Sequence, residues 1–351
     1  MSPAHLITDR MTDFSCFIRV AVSIAIDSFE KSKINRKIMA DSACRDNYSA
    51  SQLLKFLLYG LLLPIFNIYA LIARWPSRSS VHFLWADKIR ATVIDPKDIV
   101  KLPFPLKLRS TLRSWFLASL GLLIRLKSLS RIQGASEKIE FLAFLGEIFF
   151  IDTVMLTGQL KSVTTASALD RKSIYISQLA QHFGINHVVY QHGVINKFDG
   201  VHIPRCNTFV CCFPWSIKAV PWIYEASTVE VLPGEKWVFP GWHNTMSIDI
   251  LWATSPLSRS ECDHLIRKIY TRYDVDRITI KPHPRDRNVE LYKEIGFAVT
   301  AIKPRKCNLI IGQISTVLAE ATVLGIPIEV TLSDAIDRRS CLEFLESISI
   351  W

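Results

Sequence analysis

Short apolar runs alternate with amphipathic stretches from about residue 140 onward. Runs rich in β-branched residues predict strands, and apolar residues at helical spacing predict helices. Strands that alternate with helices indicate a parallel α/β sheet, whose ligands lie at the carboxyl ends of the strands. The predicted helices are 171–183, 259–273 and 317–324, and the predicted strands are 149–155, 162–165, 187–191, 208–213, 228–232, 248–253, 277–280, 309–311 and 328–332.

The first 139 residues have a different, helix-like pattern. An apolar stretch at 14–29 predicts a helix, and 53–75 is the most hydrophobic segment, with about the length of a bilayer span. Lys55, Gly60 and Pro64 interrupt that segment. Two interpretations therefore remain open for 53–75: a membrane span, and a kinked helix that lies in a lipid interface or packs in a core.

A second segment, 112–129, combines aromatic and basic residues. Trp115 and Phe116 occur among leucines, together with Arg113 and Arg125. A basic surface with aromatic side chains is typical of a peripheral membrane enzyme at an anionic leaflet. Ordinary core helices with solvated basic faces explain the same pattern, so both interpretations stay open.

The turn-rich stretch 233–242 is the predicted domain linker. The predicted organisation is a basic, helical, membrane-associating region with the start of the N-terminal lobe at 1–139, a Rossmann-like domain at 140–240 and a second Rossmann-like domain at 241–351.

A strand, turn and helix near the end of the chain predict an anion site. The strand 309–311 ends in Gly312, and Ser315 and Thr316 open the following helix. A helix that begins after such a turn presents unpaired backbone N–H groups and the positive end of its dipole. Glu320 follows Thr316 by one turn, where its carboxylate can hold ribose hydroxyls. In the simpler alternative, Ser315 is an N-cap and Glu320 a solvated surface residue.

A histidine and a glycine follow the strand predicted at 187–191. Gln191, His192 and Gly193 then lie at the ligand-facing edge of a parallel sheet. Glycine permits a tight turn or a close approach of substrate, and a histidine titrates near neutral pH. His192 is therefore a candidate general base for an acceptor hydroxyl, with a purely structural histidine as the alternative.

A proline-framed basic loop follows the strand predicted at 277–280. Pro284 and the proline before His283 restrict the backbone and end the strand. Lys281 and Arg285 flank the histidine and predict a cationic pocket for phosphate. A solvated loop whose prolines only end a strand is the alternative.

Composition narrows the class of partner. The 351 residues carry a net charge of +10 at 21% charged residues, which favours anionic partners without indicating a polycationic tail. The eight scattered cysteines predict reduced, buried thiols. The first apolar run contains Arg19 and no small-residue cleavage site follows, so we predict a cytoplasmic protein, with contact to the inner face of the cytoplasmic membrane left open.

Together these motifs resemble the GT-B glycosyltransferases of bacterial surface polysaccharide synthesis. The chain is most similar to capsule polysaccharide transferases and to bacterial sialyl- and polysialyltransferases, whose hallmarks are a His-Pro motif and a paired Ser/Thr motif. The matching motifs here are Gln191-His192-Gly193, Lys281-Pro282-His283-Pro284, and the stretch from Gly312 through Ser315-Thr316 to Glu320. The resemblance extends over about 149–332.

The resemblance implies a GT-B-like pair of Rossmann-like domains, with a helical N-terminal region in addition. It implies that the C-terminal domain binds the donor nucleotide and that a base of the N-terminal domain faces the acceptor. By motif, His283, Pro284, Gly312, Ser315 and Thr316 would bind the donor phosphate. Lys281 and Arg285 would assist in binding the phosphate, and Glu320 would hold the ribose. His192 would act as base, with Gln191 and Gly193 on the acceptor side.

Two departures from the family pattern affect the predicted donor. The hydroxyl pair is Ser-Thr where the sialyltransferases usually have Ser-Ser, and Gln-His-Gly replaces their acidic-acidic-Gly motif. The His-Pro likeness suggests a CMP-linked sialic acid or Kdo, while a UDP-sugar stays open.

The predicted activity is metal-independent transfer of a sugar from a nucleotide sugar to a polysaccharide or glycolipid acceptor, without a cofactor. Asp274-Val275-Asp276, an Asp-x-Asp match, precedes a strand at the edge away from the ligands, so no metal site is predicted there. A nucleotide-sugar 2-epimerase or a glycerophosphotransferase on a related scaffold is one alternative. A non-enzymatic basic membrane- or nucleic-acid-binding protein is another, although the charge is not concentrated in a nucleic-acid module, so we predict no nucleic-acid partner.

Overall fold

The computed structural model describes residues 14–41, 54, 80–84, 99–101, 124, 126–155, 161–167, 169–195, 197–233, 242–255, 258–284, 286–313 and 315–331. Apart from Leu54, the hydrophobic segment 53–75 lies outside these residues, as do most of 112–129 and most of the predicted linker 233–242. Of the helices in the described part, none is long and apolar enough to cross a membrane.

Helices and strands alternate along the chain, as the hydrophobic pattern predicts. The helices are α1 (Phe14–Asp41), α2 (Ala135–Met155), α3 (Arg171–Phe183), α4 (Arg259–Tyr270), α5 (Val289–Ile295) and α6 (Thr316–Val323). The strands are β1 (Ser80–Leu84), β2 (Ile99–Lys101), β3 (Ser162–Ala166), β4 (Asn186–Tyr190), β5 (Arg205–Cys211), β6 (Glu225–Val231), β7 (Trp242–Ala253), β8 (Ile278–Lys281), β9 (Ala298–Val299), β10 (Lys303–Gly312) and β11 (Ile328–Val330). Short 3-10 helices cover Lys127–Arg131, Pro214–Trp222 and Val275–Arg277.

The chain forms two compact units, and it passes from one to the other several times. The first unit contains the described residues up to His192, together with Phe198–Val210 and Val220–Glu230. The second contains Gly193–Lys197, Cys211–Ala219 and the described residues from Val231 onward. Two short segments from within the predicted domain 140–240 thus belong to the second unit.

The sheet of the first unit has the strand order β2-β1-β3-β4-β5-β6. The registers from β2 to β5 are parallel. Helices α1, α2 and α3 contribute to one buried core around Phe29, Phe144 and Tyr175. Two strands of this sheet, β1 and β2, come from the region 1–139, where the hydrophobic pattern predicted none.

Helix α3 has the bounds that the sequence predicts, because its ends are determined locally. The Asp170 side chain accepts hydrogen bonds from the backbone N–H groups of Lys172 and Ser173, at 3.1 and 2.8 Å. Gly184 ends the helix with φ 66°, a left-handed conformation that glycine adopts at little cost.

The strand predicted at 149–155 is wrong, because these residues form the last two turns of α2. A continuous apolar run is compatible with a buried strand and with a buried helix, and periodicity alone does not distinguish the two. Phe149 and Ile151 are fully buried in the core of the first unit.

The sheet of the second unit has the order β11-β10-β7-β8-β9, and its strands are parallel. One face packs against α4 and α5, with Trp252, Ile280 and Ile311 in a shared core. The other face packs against α6, with Leu251, Ile310 and Leu318 in a second core. Both units are therefore parallel α/β sheets of a Rossmann-like kind.

No disulfide joins the cysteines in the described part of the chain, for which the sequence predicts reduced, buried thiols. Cys206, Cys211 and Cys262 are buried, and Cys212 and Cys307 are half-buried. Burial raises the pKa of Cys206 and of Cys211 to about 12, so both are protonated at neutral pH.

Candidate functional site

The strand order of the second sheet predicts where it binds ligands. Successive strands run outward from β7 to β9 on one side, and the chain then returns to place β10 on the other side. The gap between the carboxyl ends of β7 and β10 is thus a topological switch point, where open α/β sheets bind their ligands. Thr254 follows β7 at this point and Gln313 follows β10.

Gly312 brings the ends of β7 and β10 into close contact with α6. It pairs with Ala253 in the sheet register. A Cβ atom added at Gly312 would lie 2.6 Å from the Ala253 backbone oxygen and 3.0 Å from Leu318 Cδ1. Because one of these atoms belongs to the backbone, a larger side chain would force the strands apart at the switch point.

We expect Gly312→Ala to lower the free energy of unfolding by about 2–3 kcal/mol, because overpacking against backbone cannot be relieved by rotating a side chain. Chemical denaturation measures the loss. Gly184→Ala is the matched control: its added Cβ would meet no atom within 4 Å, so only its positive φ is penalised, by about 1 kcal/mol. If both variants lose the same free energy of unfolding, the close contact at Gly312 does not disfavour a larger side chain.

The His-Pro loop after β8 is attached to the end of β7. The backbone N–H of Thr254 donates to the Lys281 carbonyl at 3.1 Å. The His283 backbone N–H donates to the Thr254 hydroxyl oxygen at 3.2 Å. The loop therefore has a defined position beside the switch point. Pro284 is exposed, and Arg285 lies outside the described residues.

A buried carboxylate, Asp286, organises this loop. It accepts hydrogen bonds from the hydroxyl groups of Thr254 and Tyr292, at 2.5 and 2.8 Å. It also accepts from the backbone and side-chain nitrogens of Asn288, both at 3.0 Å. Its own N–H donates to the His283 carbonyl at 2.8 Å. Sequence reasoning missed Asp286, because a carboxylate next to a basic loop is usually solvated.

Lys281 is half-buried on the α6 face of the sheet. Ile278 and Ile280 pack on the opposite face, and side chains alternate along a strand. Burial lowers the pKa of the Lys281 ammonium, the charge of Lys303 lowers it further, and the charge of Glu320 raises it. Glu320 thus helps to keep Lys281 charged.

Ser315 is the N-cap of α6, as the simpler alternative held. Its hydroxyl oxygen accepts from the Leu318 backbone N–H at 3.5 Å. A capping hydroxyl retains its own proton for donation, so the cap does not exclude a ligand. Thr316 is the first residue of the helix, and both residues are half-buried.

Gly193, the last residue of the Gln-His-Gly motif, lies beside the start of α6. A Cβ atom added at Gly193 would lie 3.1 Å from Thr316 Oγ1, which is tighter than most real contacts. Val194 packs against a small cluster in which Phe213 and Ala319 are buried. Gly193 and Thr316, which the sequence separates by more than a hundred residues, are therefore neighbours within the second unit.

His192 follows β4 in the first unit and is half-buried. Its backbone N–H donates to the Ser167 hydroxyl oxygen at 2.9 Å, and Ser167 follows β3. The preceding Gln191 is buried, and its N–H donates to the Val210 carbonyl at 2.9 Å. The turn thus continues from the carboxyl edge of the first sheet, as the sequence predicts.

Glu320, the predicted ribose ligand, is buried in an ion pair. Its carboxylate is buried and accepts hydrogen bonds from Lys303 Nζ and, at 2.7 Å, from Trp242 Nε1. The Lys303 ammonium also lies 5.3 Å from the Trp242 ring centroid. Glu320 has no charged neighbour on its own helix, so its pairing with Lys303 and Trp242 is evident only from the fold. Glu320 is therefore not the solvated surface residue of the simpler alternative.

The site therefore collects hydrogen-bond donors at the carboxyl edge of the second sheet. Strands β8 and β10 flank β7, so the loops after them start about 10 Å apart. Lys281 and His283 lie on the β8 side of β7, and the start of α6 lies on the β10 side. Donors from a helix N-terminus and a lysine suit a phosphate group.

Among the described residues, no group of three His, Cys, Asp or Glu side chains is placed to hold a metal ion. The Asp-x-Asp match lies at Asp274–Asp276, in the 3-10 turn that leads into β8. Its position before the strand agrees with the sequence prediction.

Comparison with known proteins found no protein-family model that matches this chain, and no curated protein with significant sequence similarity to it.

Proposed function

We propose that this protein is a glycosyltransferase of the GT-B type, which transfers a sugar from a nucleotide sugar to the hydroxyl group of a polysaccharide or glycolipid acceptor. The observation that carries the proposal is the position of two motifs. The Lys281-Pro282-His283 loop and the Ser315-Thr316 helix start follow β8 and β10, on either side of β7 at the switch point of the second sheet.

The phosphate of the donor would bind at the start of α6. There the backbone N–H groups and the helix dipole favour negative charge, and the hydroxyls of Ser315 and Thr316 add donors. Lys281 lies on the α6 face and adds a positive charge. These groups would stabilise the charge that develops on the phosphate as the bond between the sugar and the nucleotide breaks.

His192 would act as the general base. The acceptor oxygen attacks the anomeric carbon of the sugar, the bond from that carbon to the phosphate oxygen breaks, and the acceptor proton passes to the imidazole. The support for this role is local: Gly193, the residue after His192, lies against Thr316 of the proposed phosphate site. Any side chain larger than hydrogen at this position would press on the Thr316 hydroxyl, so glycine permits the close approach of the two segments.

The donor-site assignment is tested by a thermal-shift panel of CMP, UMP, CDP, UDP and their sugar conjugates. A ligand that binds the folded protein stabilises it by about 2.7 kcal/mol at a hundredfold excess over its Kd. We expect CMP to raise the melting temperature of the wild type by several degrees, and His283→Ala to lose most of that shift.

His243→Ala is the matched control, because His243 is an exposed histidine of the same unit. Its variant should keep the full CMP shift. The proposal is refuted if no nucleotide stabilises the wild type, or if CMP stabilises the wild type and His283→Ala equally. Release of free nucleotide from the stabilising sugar conjugate would then identify the activated sugar.

A further inference from the structure

The buried side chain of Gln313 has no hydrogen-bond partner among the residues that the structure describes. Gln313 is 1% exposed and directly follows β10 at the switch point. Neither its amide nitrogen nor its amide oxygen has a hydrogen-bond partner in the described part of the chain. Buried amides are almost always paired, since an unpaired donor or acceptor loses its interactions with water without replacement. The unpaired Gln313 amide at the carboxyl edge of the sheet therefore needs an explanation.

The alternation of side chains places this amide on the α4 and α5 face. Ile311 packs on that face, and Gly312 points to the opposite face, toward Leu318 of α6. Gln313 continues the alternation. Its neighbour on β7 is Thr254, since Gly312 pairs with Ala253, and the Thr254 hydroxyl is bonded to Asp286 of the His-Pro loop.

A second orphan lies on the same face. The indole nitrogen of Trp252 is buried without a hydrogen-bond partner among the described residues. Trp252 pairs with Ile311 in the register of β7 and β10, directly below Thr254 and Gln313. Two donors and one acceptor are thus unpaired in adjacent positions beside the switch point, where unpaired polar groups indicate a ligand or an ordered water.

We propose that Gln313 binds the nucleobase of the donor nucleotide, through paired hydrogen bonds to one edge of the base. This inference rests on the proposed function. A carboxamide presents a donor and an acceptor side by side, and a nucleobase edge presents the complementary acceptor and donor in one plane. A phosphate offers only acceptors and would leave the amide oxygen unpaired. A single hydroxyl has one proton and cannot align with both ends of the carboxamide.

The spacing along the chain agrees with one bound nucleotide. Gln313 precedes the helix N-cap Ser315 by two residues, a span of at most about 7 Å. The base would lie on the α4 and α5 face, beside Thr254, and the phosphate at the start of α6 on the other face. The nucleotide would thus extend across the carboxyl edge of the sheet between β7 and β10.

Isothermal titration of Gln313→Met tests the inference. Methionine has a similar length and no hydrogen-bonding amide. The probes are CMP, UMP, AMP and GMP, with ribose 5-phosphate as the ligand without a base. We expect the wild type to bind at least one nucleotide more tightly than ribose 5-phosphate. The variant should bind that nucleotide about tenfold or more weakly, since two hydrogen bonds are lost, and should bind ribose 5-phosphate as the wild type does.

Two further variants complete the experiment. Gln313→Glu keeps the size but replaces the donor, so it should also weaken binding of the preferred base. Gln181→Met, at an exposed glutamine of α3, should change nothing. The melting temperature of free Gln313→Met should equal or exceed that of the wild type, because an unpaired buried amide has been removed.

Several outcomes would overturn the inference. If Gln313→Met binds the preferred nucleotide as the wild type does, Gln313 does not contact the base, while the donor site itself stands. Equal weakening for the nucleotide and for ribose 5-phosphate assigns Gln313 a structural role. A lower melting temperature with unchanged binding indicates a buried water on the amide. If neither a nucleotide nor ribose 5-phosphate binds the wild type, the proposed function fails as well.

Discussion

Replacing Glu320 by alanine is expected to lower the free energy of unfolding by about 3–5 kcal/mol, one of the two largest effects we expect for this chain. The carboxylate of Glu320 is buried with Lys303 and Trp242 as hydrogen-bond donors. The alanine variant leaves the Lys303 ammonium buried without its counterion. Removal of one partner of a buried ion pair costs far more than the pair contributes, because the remaining charge is desolvated and uncompensated.

Urea denaturation with a matched control measures this effect. Glu329 also accepts hydrogen bonds from Arg272 and Tyr273, but Arg272 is largely exposed, so Glu329→Ala should cost about 1 kcal/mol or less. The double variant Glu320→Leu with Lys303→Met should recover most of the loss, since it removes both charges. A loss below about 1 kcal/mol for Glu320→Ala would contradict the buried pair.

The second large effect is expected for Asp286→Ala, at about 3–5 kcal/mol of unfolding free energy. The variant removes at once the acceptor to which the hydroxyls of Thr254 and Tyr292 and the nitrogens of Asn288 donate. It also frees the Thr254 hydroxyl that accepts from the His283 backbone. We therefore expect weaker binding of CMP in addition to the loss of stability, because the His-Pro loop loses its attachment beside β7.

Stability and binding are measured separately for this variant. Calorimetric melting gives the stability, and titration with CMP well below the melting temperature gives the affinity. Asp263→Ala is the control, since Asp263 is a partly exposed residue of α4 whose 3.6 Å pair with Arg259 contributes little. If Asp286→Ala has the melting temperature of the wild type, the hydrogen bonds to Asp286 do not stabilise the loop. Normal CMP affinity in a destabilised variant would show that the loop does not contribute to binding at the proposed phosphate site.

Local chemistry explains why much of the α/β pattern follows from the sequence. Helix α3 has a capping aspartate and a terminal glycine within its own segment, so both of its ends can be predicted. The same holds for the start of α6, where Ser315 caps the helix. The strands before Gln191 and before Pro282 end close to the predicted residues, because glycine and proline act on the backbone next to them.

Contacts between distant residues account for the predictions that failed or were missing. The apolar run 149–155 is helical, and its residues Phe149 and Ile151 are buried in a core to which α1 and α3 also contribute. Strands β1 and β2 were missed: β1 pairs with β3, where Ser80 is the register partner of the distant Ser162, and β2 is held in the sheet by its pairing with β1. The burial of Glu320 depends on Lys303 and Trp242, which no local pattern connects to it.

The sequence by itself determined the alternating α/β pattern, the helix caps and the residue types of the His-Pro and Ser-Thr motifs, because each depends on residues within a few positions of one another. Tertiary structure alone decided that β8 and β10 flank β7, that Gly193 meets Thr316, and that the Gln313 amide is buried without a hydrogen-bond partner in the described part of the chain. The physical reason is that strand order and burial arise from packing between segments far apart in the chain, where hydrophobic burial and hydrogen-bond pairing are satisfied jointly.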